Sequence, residues 1–198
     1  MGIAKAIEDF KQGKMIIIAD DVDREDEGDI VIAAEKITEE VMAFMAKKAS
    51  GLICLALTDE LAKKIDLDPM VEDNQAPLRT AFTVSIDAKH GITTGISASD
   101  RVKAVLAAID KNASSADIVK PGHMFPVIAK PGGVLERRGH TEASVEMAKL
   151  SGFSAASVMC EILDDEGKMV RGKALEEFAT QHQIELIHME EIVQFLKG

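Results

Sequence analysis

The chain has 198 residues, of which 46% are hydrophobic and 29% charged, with a formal net charge of −11. That length supports a substantial core and predicts a single domain over residues 1–198. The acidic balance disfavours nucleic acid and anionic membrane as partners, and no apolar run approaches a bilayer-spanning length.

Met1–Lys14 carries charges throughout and has no signal-peptide core. Its Ile3, Ala6, Ile7 and Phe10 fall on one helical face, which predicts a docking helix. Two apolar runs follow, Met15–Ala19 and Ile30–Ala34, both read as strands. Between them, Asp20-Asp21-Val22-Asp23-Arg24-Glu25-Asp26-Glu27-Gly28-Asp29 packs a row of carboxylates around one arginine. Carboxylates this close repel, so without a cation some should hold their protons unusually high. A hard divalent metal would relieve that strain. A solvated acidic loop is the plainer reading. The buried look of the flanks argues against it, as does Gly28, which frees the backbone to bend. An EF-hand loop fails on spacing. With Asp23 first, position twelve is Ala34, where a bidentate Glu is required. The loop therefore reads as a metal or polyol site.

Thr38 caps a predicted helix with Glu39 and Glu40 in its first turn and Gly51 as its stop. Gly51–Leu57 reads as a strand covered on both faces, Thr58–Ile65 as a short helix, Asp66–Thr80 as an irregular loop and Ala81–Ile86 as a strand. Gly91–Arg101 is rich in hydroxyls and leads into a helix over Val102–Ile109, with Ser99 as N-cap. Capping leaves Thr93, Thr94 and Ser97 unexplained, and these could line a polar pocket. Lys120–Pro126 reads as a turn, Val127–Lys130 as a strand and Pro131–Gly133 as another turn. Next comes a helix from Thr141 to about Leu150, with Thr141 as N-cap. Arg137, Arg138 and Gly139 stand just before it, and paired arginines beside a helix N-terminus suit a single phosphate. The alternative is that they pair with the surplus acids. Ser157–Leu163 is a predicted strand carrying Glu161, an acid seldom buried without a partner. A helix over Ala174–His182, a strand over Ile184–Ile187 and a closing helix over Glu190–Leu196 complete the chain. Strands and helices intermingle. The predicted class is α/β (α+β), a three-layer fold with a mixed sheet and helices on both faces. Cys54 and Cys160 sit in apolar runs without metal-ligand spacing, as buried thiols of a cytoplasmic protein would.

His123 and His140 each follow a glycine in a connection, where scaffold-held side chains are good functional candidates. His90, His182 and His188 lack that setting. A metal could take Glu25 from one loop and His140 from the other, with the arginines on a phosphate and the acids on a polyol. This describes a phosphosugar enzyme using metal-assisted acid–base chemistry.

Asp20–Asp29, Phe82-Thr83 with Gly91–Arg101, Pro121–Pro126 and Gly132–Ala143 resemble the 3,4-dihydroxy-2-butanone 4-phosphate synthases of riboflavin biosynthesis, in the free-standing form. The resemblance covers essentially the whole chain. It implies a carbon–carbon lyase that converts D-ribulose 5-phosphate to L-3,4-dihydroxy-2-butanone 4-phosphate and formate with Mg2+ or Mn2+. Glu25 and His140 would be the metal ligands. Arg24, Glu25 and Asp29 would contact the sugar, with Asp20 and Glu27 beside it as acid–base or hydroxyl-binding groups. Arg137, Gly139 and Thr141 would grip the phosphate, with Arg138 standing where relatives often have a second glycine. His123 and Glu161 match positions needed for catalysis, and Thr93 and Thr94 would line the pocket. The resemblance also implies a homodimer with its site near the subunit boundary. The alternatives are a metal-dependent pentose-phosphate isomerase or aldolase, which shares the enediol step but releases no formate, and a non-catalytic phosphosugar-binding module.

Overall fold

The computed structural model describes residues 2–198; Met1 of the predicted N-terminal helix lies outside them. In chain order the elements are α1 (Ile3–Lys11), β1 (Ile16–Ala19), β2 (Gly28–Ala33), α2 (Glu39–Phe44), β3 (Cys54–Leu57), α3 (Asp59–Lys64), β4 (Ile86–Ala88), α4 (Ala98–Ile109), β5 (Ile118–Ile128), α5 (His140–Leu150), β6 (Ala156–Glu161), α6 (Gly172–His182), β7 (Glu185–His188) and α7 (Met189–Lys197). The strands form one mixed sheet in the order β4-β5-β3-β6-β2-β1-β7. β1 runs antiparallel to β2 and parallel to β7, and β3 runs parallel to β5 and antiparallel to β6.

Both faces are covered, so the central strands are apolar on both sides. Ile17, Ile30, Ile32, Leu55 and Val158 point to one layer, with Met42 of α2, Ala62 of α3, Val105 of α4 and Leu175 of α6. Ile16, Ile18, Val31, Ala56 and Met159 point to the other, with Phe10 of α1, Val145 of α5 and Ile192 of α7. The period-2 alternation of strand side chains sorts neighbouring isoleucines of one run into different cores. The predicted α1 face is confirmed in Ala6, Ile7 and Phe10, all buried.

Five local expectations are corrected. Gly28 does not bend the acidic loop: it lies in β2, where an added Cβ would sit 2.5 Å from Leu175 Cδ2. The left-handed backbone of the loop falls on Asp26, at φ 54°. Ala81–Ile86 is mostly a connection with bridges at Phe82 and Thr83, and the strand is Ile86–Ala88. Lys120–Pro126 is no turn but part of β5. Its glycine and prolines accompany a bulge, where pairing slips from Ile86↔Met124 to Asp87↔Val119. A Cβ at Gly122 would lie 2.0 Å from the Ile86 carbonyl carbon, so only glycine lets β4 approach. Finally, two helices start earlier than their predicted caps. Ser97, not Ser99, caps α4 by accepting the Asp100 N–H, and Gly139, not Thr141, is the N-cap of α5.

Candidate active site and metal centre

The acidic residues 20–27 join β1 to β2, so the pairing of those strands fixes both ends of the loop. Asp20 N–H donates to the Glu27 carbonyl at 2.8 Å, closing its neck. Arg171 braces the far side, donating to the Asp26 carbonyl at 3.0 Å and the Glu25 carbonyl at 3.2 Å, with Glu27 Oε1 at 3.3 Å. Arg138 braces the near side through two bonds to Asp21, at 2.6 and 2.8 Å, and an ion pair to Glu190 of α7 at 2.8 Å. That pairing holds Asp21's carboxyl below its usual range.

Asp20, Glu25, Glu27, Asp29, His140 and Glu161 converge where β1 and β6 end and β2 and α5 start. Register places Asp29 directly opposite Glu161 across the β2–β6 pair. Ligand atoms of Asp20, Glu25 and His140 lie within 4.8 Å of one another. The Arg24 guanidinium pairs with Asp20 at 2.5 Å and also with Glu25. His140 Nε2 lies 3.2 Å from the Ile18 carbonyl, a contact that calls for the proton on Nε2 and leaves a lone pair on Nδ1. Burial pushes His140's pKa down, favouring the neutral ring. Asp29 is pushed well above the usual carboxylate range by burial first, then by Glu161, Glu25, Glu27 and Asp20. Burial, then the charge of Glu25, also raises Glu27.

Glu25, Glu27, Asp29, His140 and Glu161 line a cavity of about 180 Å³ with Arg24, Cys54, Thr80, Phe82, Val127, Arg137, Thr141 and Met159, and Asp20 lies behind Glu25 and His140. Burial, then the Glu161 charge, drives the Cys54 thiol pKa far up, so this sulfur is no ready nucleophile. Glu161 Oε2 accepts the Leu52 N–H at 2.8 Å, and Gly51 makes room: a Cβ there would lie 2.4 Å from the Glu161 carbonyl oxygen. Arg137 reaches the cavity from the loop before α5. Gly139 gives that helix no side-chain cap, so its first-turn N–H groups remain available to an anion.

The donor set fits a divalent cation. Two carboxylates and a neutral imidazole converge, and Asp20 Oδ1 and Asp29 Oδ1 are buried without a hydrogen-bond partner. Asp20 joins the two ligands that the resemblance implies.

Four predicted site residues lie elsewhere. His123 is absent from the cavity lining, four residues along β5 from Val127. It forms a second cluster, with its N–H 3.0 Å from Asp87 Oδ1 and its Nδ1 2.8 Å from Asp87 Oδ2. Gly95 packs against this pair, where a Cβ would fall 2.2 Å from Asp87 Oδ2. Thr93 and Thr94 belong to that turn and are exposed. Thr93 donates from both N and Oγ1 to Asp100, at 3.1 and 2.7 Å, with Thr93 Oγ1 the largest of the bonds that hold the Asp100 carboxyl down to about 2. Arg138, expected among the phosphate groups, is committed to Asp21 and Glu190 instead and does not line the cavity. The sequence reading missed Asp87, Arg171 and Glu142, whose partners are remote in the chain or hidden by the misplaced cap.

The sequence profile of the 3,4-dihydroxy-2-butanone 4-phosphate synthase family matches residues 4–195. The riboflavin biosynthesis protein RibBA of Aquifex aeolicus is 53% identical over 195 residues, covering 98% of this chain and 48% of its own length. The 3,4-dihydroxy-2-butanone 4-phosphate synthase of Shewanella pealeana is 47% identical, covering 96% of this chain and 90% of its own. The chain thus spans about half of one relative and nine tenths of the other. A crystal structure of a 3,4-dihydroxy-2-butanone 4-phosphate synthase in complex with two magnesium ions superposes with a TM-score of 0.96 at 41% identity, covering 100% of this chain and 97% of that one. A cation-free crystal form of such an enzyme gives 0.92 at 40% identity, covering 100% and 97%. The chain belongs to the 3,4-dihydroxy-2-butanone 4-phosphate synthase family.

Proposed function

We propose that this chain converts D-ribulose 5-phosphate to L-3,4-dihydroxy-2-butanone 4-phosphate and formate for riboflavin biosynthesis, by enolisation, dehydration, skeletal rearrangement and loss of formate. The observation that carries the proposal is the convergence of Asp20, Glu25 and His140, the last two lining one cavity with Arg137 from the loop before α5.

Glu25 and His140, with Asp20, would hold Mg2+ or Mn2+. When bound, such a cation stabilises the negative charge that develops on adjacent substrate oxygens as a carbon-bound proton leaves. Arg137, the backbone at Gly139 and Thr141 grip the phosphate, supported by the uncapped N–H groups of α5. Arg24, Glu25 and Asp29 orient the sugar hydroxyls. Glu27 and Asp29, whose carboxyls are pushed up by burial and by neighbouring acids, are the groups suited to give a proton to a departing hydroxyl. Asp20 and Glu161, anchored by Arg24 and by the Leu52 N–H, are positioned to take protons up.

His123 enters from a second copy of the chain in a homodimer. Asp87 orients its ring and leaves Nε2 as the outward proton acceptor, with Thr93 and Thr94 beside it. The small cavity supports this reading, as do exposed apolar residues bordering both clusters: Leu52 and Leu78 near the cavity, Ile96 near His123.

The test is incubation with ribulose 5-phosphate and Mg2+. Formate should appear, cease with a chelator and return with excess Mg2+. Pentose-phosphate interconversion without formate would favour the isomerase or aldolase reading. Tight binding without turnover would favour a binding module.

A further inference from the structure

Glu142 is 1% exposed, in the first turn of α5, yet it does not line the cavity. Both of its oxygens are used. Oε2 accepts from Arg137 Nη1 at 2.6 Å, and Oε1 accepts the Lys130 N–H at 3.0 Å. The Arg137–Glu142 contact passes over Gly139. A Cβ there would fall 2.2 Å from Arg137 Nη1 and 2.7 Å from Glu142 Oε2. Gly139 has ordinary extended dihedrals, φ −120° and ψ 156°, so its backbone suits any residue and glycine supplies only space. On its other side, Arg137 Nη2 contacts Thr80 Oγ1 at 3.3 Å and the Leu78 carbonyl at 3.4 Å. A guanidinium has five N–H donors, so donors remain for the cavity.

We propose that Glu142 is a positioning residue: it aims the Arg137 guanidinium across the start of α5, and Gly139 supplies the space for that contact. The proposal rests on the reading of this cavity as a phosphosugar site. A carboxylate behind an anion site opposes anion binding by charge alone. Its presence is explained if holding the guanidinium in one orientation, lowering the ordering cost on binding, outweighs that repulsion.

The two effects have opposite signs on substitution. Glu142→Gln keeps the shape and the Lys130 contact but presents an N–H to Arg137 or loses the charge-assisted bond. If Glu142 acted only through its charge, this variant would bind inorganic phosphate more tightly. Positioning predicts that phosphate, titrated by 31P NMR, binds about tenfold more weakly. KM for ribulose 5-phosphate should rise in step while kcat changes less. Gly139→Ala, whose methyl displaces the guanidinium tip, should weaken phosphate in the same way. Adding Glu142→Gln to Arg137→Met should weaken phosphate binding no further, because with the guanidinium gone only the repulsive charge is removed.

Unchanged or tighter phosphate binding in folded Glu142→Gln would overturn the proposal, and so would full additivity with Arg137→Met. If Glu142→Gln does not fold, wild-type phosphate affinity in Gly139→Ala overturns it equally. The readouts separate the two levels. A wild-type protein that binds phosphate but releases no formate removes the proposed reaction and leaves the role of Glu142 standing. One that does not bind phosphate removes the role of Glu142.

Discussion

Asp29 is 4% exposed, opposite Glu161, with Oδ1 unpartnered. Its folded pKa lies above the ordinary carboxylate value, so the unfolded chain releases this proton first as pH rises. Its contribution to stability is therefore intact below about pH 4 and declines as pH climbs towards the folded value. Asp29→Asn removes that titration. In chelator-treated buffer the variant should melt at a higher temperature than the wild type at pH 7. The gap should close towards pH 4, and thermal melts across that range check it. A gap independent of pH would show that Asp29 is ionised in the folded protein. The crowding of carboxylates was legible because Asp20–Asp29 is one contiguous run. Which carboxyl keeps its proton was not, because Glu161, the largest charged cause, comes from the distant β6. The same limit hid Asp87, which reaches His123 from 36 residues away.

Elements were legible where the signal was periodic and less so where it was punctuation. α1, β1, β2 and β6 follow their apolar patterns closely. At the start of α4 there were two serines, and local sequence favoured Ser99. The helix begins two residues sooner because Asp100 folds back onto Thr93 and Gly95, which leaves Ser97 extended, at φ −62° and ψ 156°. Ser97→Ala should cost about 1 kcal/mol of stability, the ordinary value of an N-cap, while Ser99→Ala should be nearly neutral. Urea denaturation distinguishes them, and equal costs would contradict the assignment. In β5, Pro121, Gly122 and Pro126 are turn signals by themselves. Pairing with β3 on one side and β4 on the other overrides them and leaves a bulge. That outcome depends on contacts over 30 residues away, which no local pattern carries.

At the scale of the molecule, the three-layer arrangement was legible from the intermingled strands and helices. The grouping of Glu25 with His140 was legible from chemistry. What the sequence could not show is that His123, Thr93 and Thr94 gather around Asp87 and Asp100, outside the cavity of Glu25, Asp29 and Glu161. A single copy thus holds the two halves of the proposed machinery apart, and two copies would bring them together. Exchange between subunits tests this most directly. Glu25→Gln and His123→Ala are each expected to release almost no formate from ribulose 5-phosphate with Mg2+. Mixed, unfolded together and refolded, they should regain a measurable part of wild-type formate release, because a mixed dimer contains one site with both residues intact. No recovery in a refolded mixture shown to contain mixed dimers would contradict the account, as would substantial formate release by His123→Ala alone.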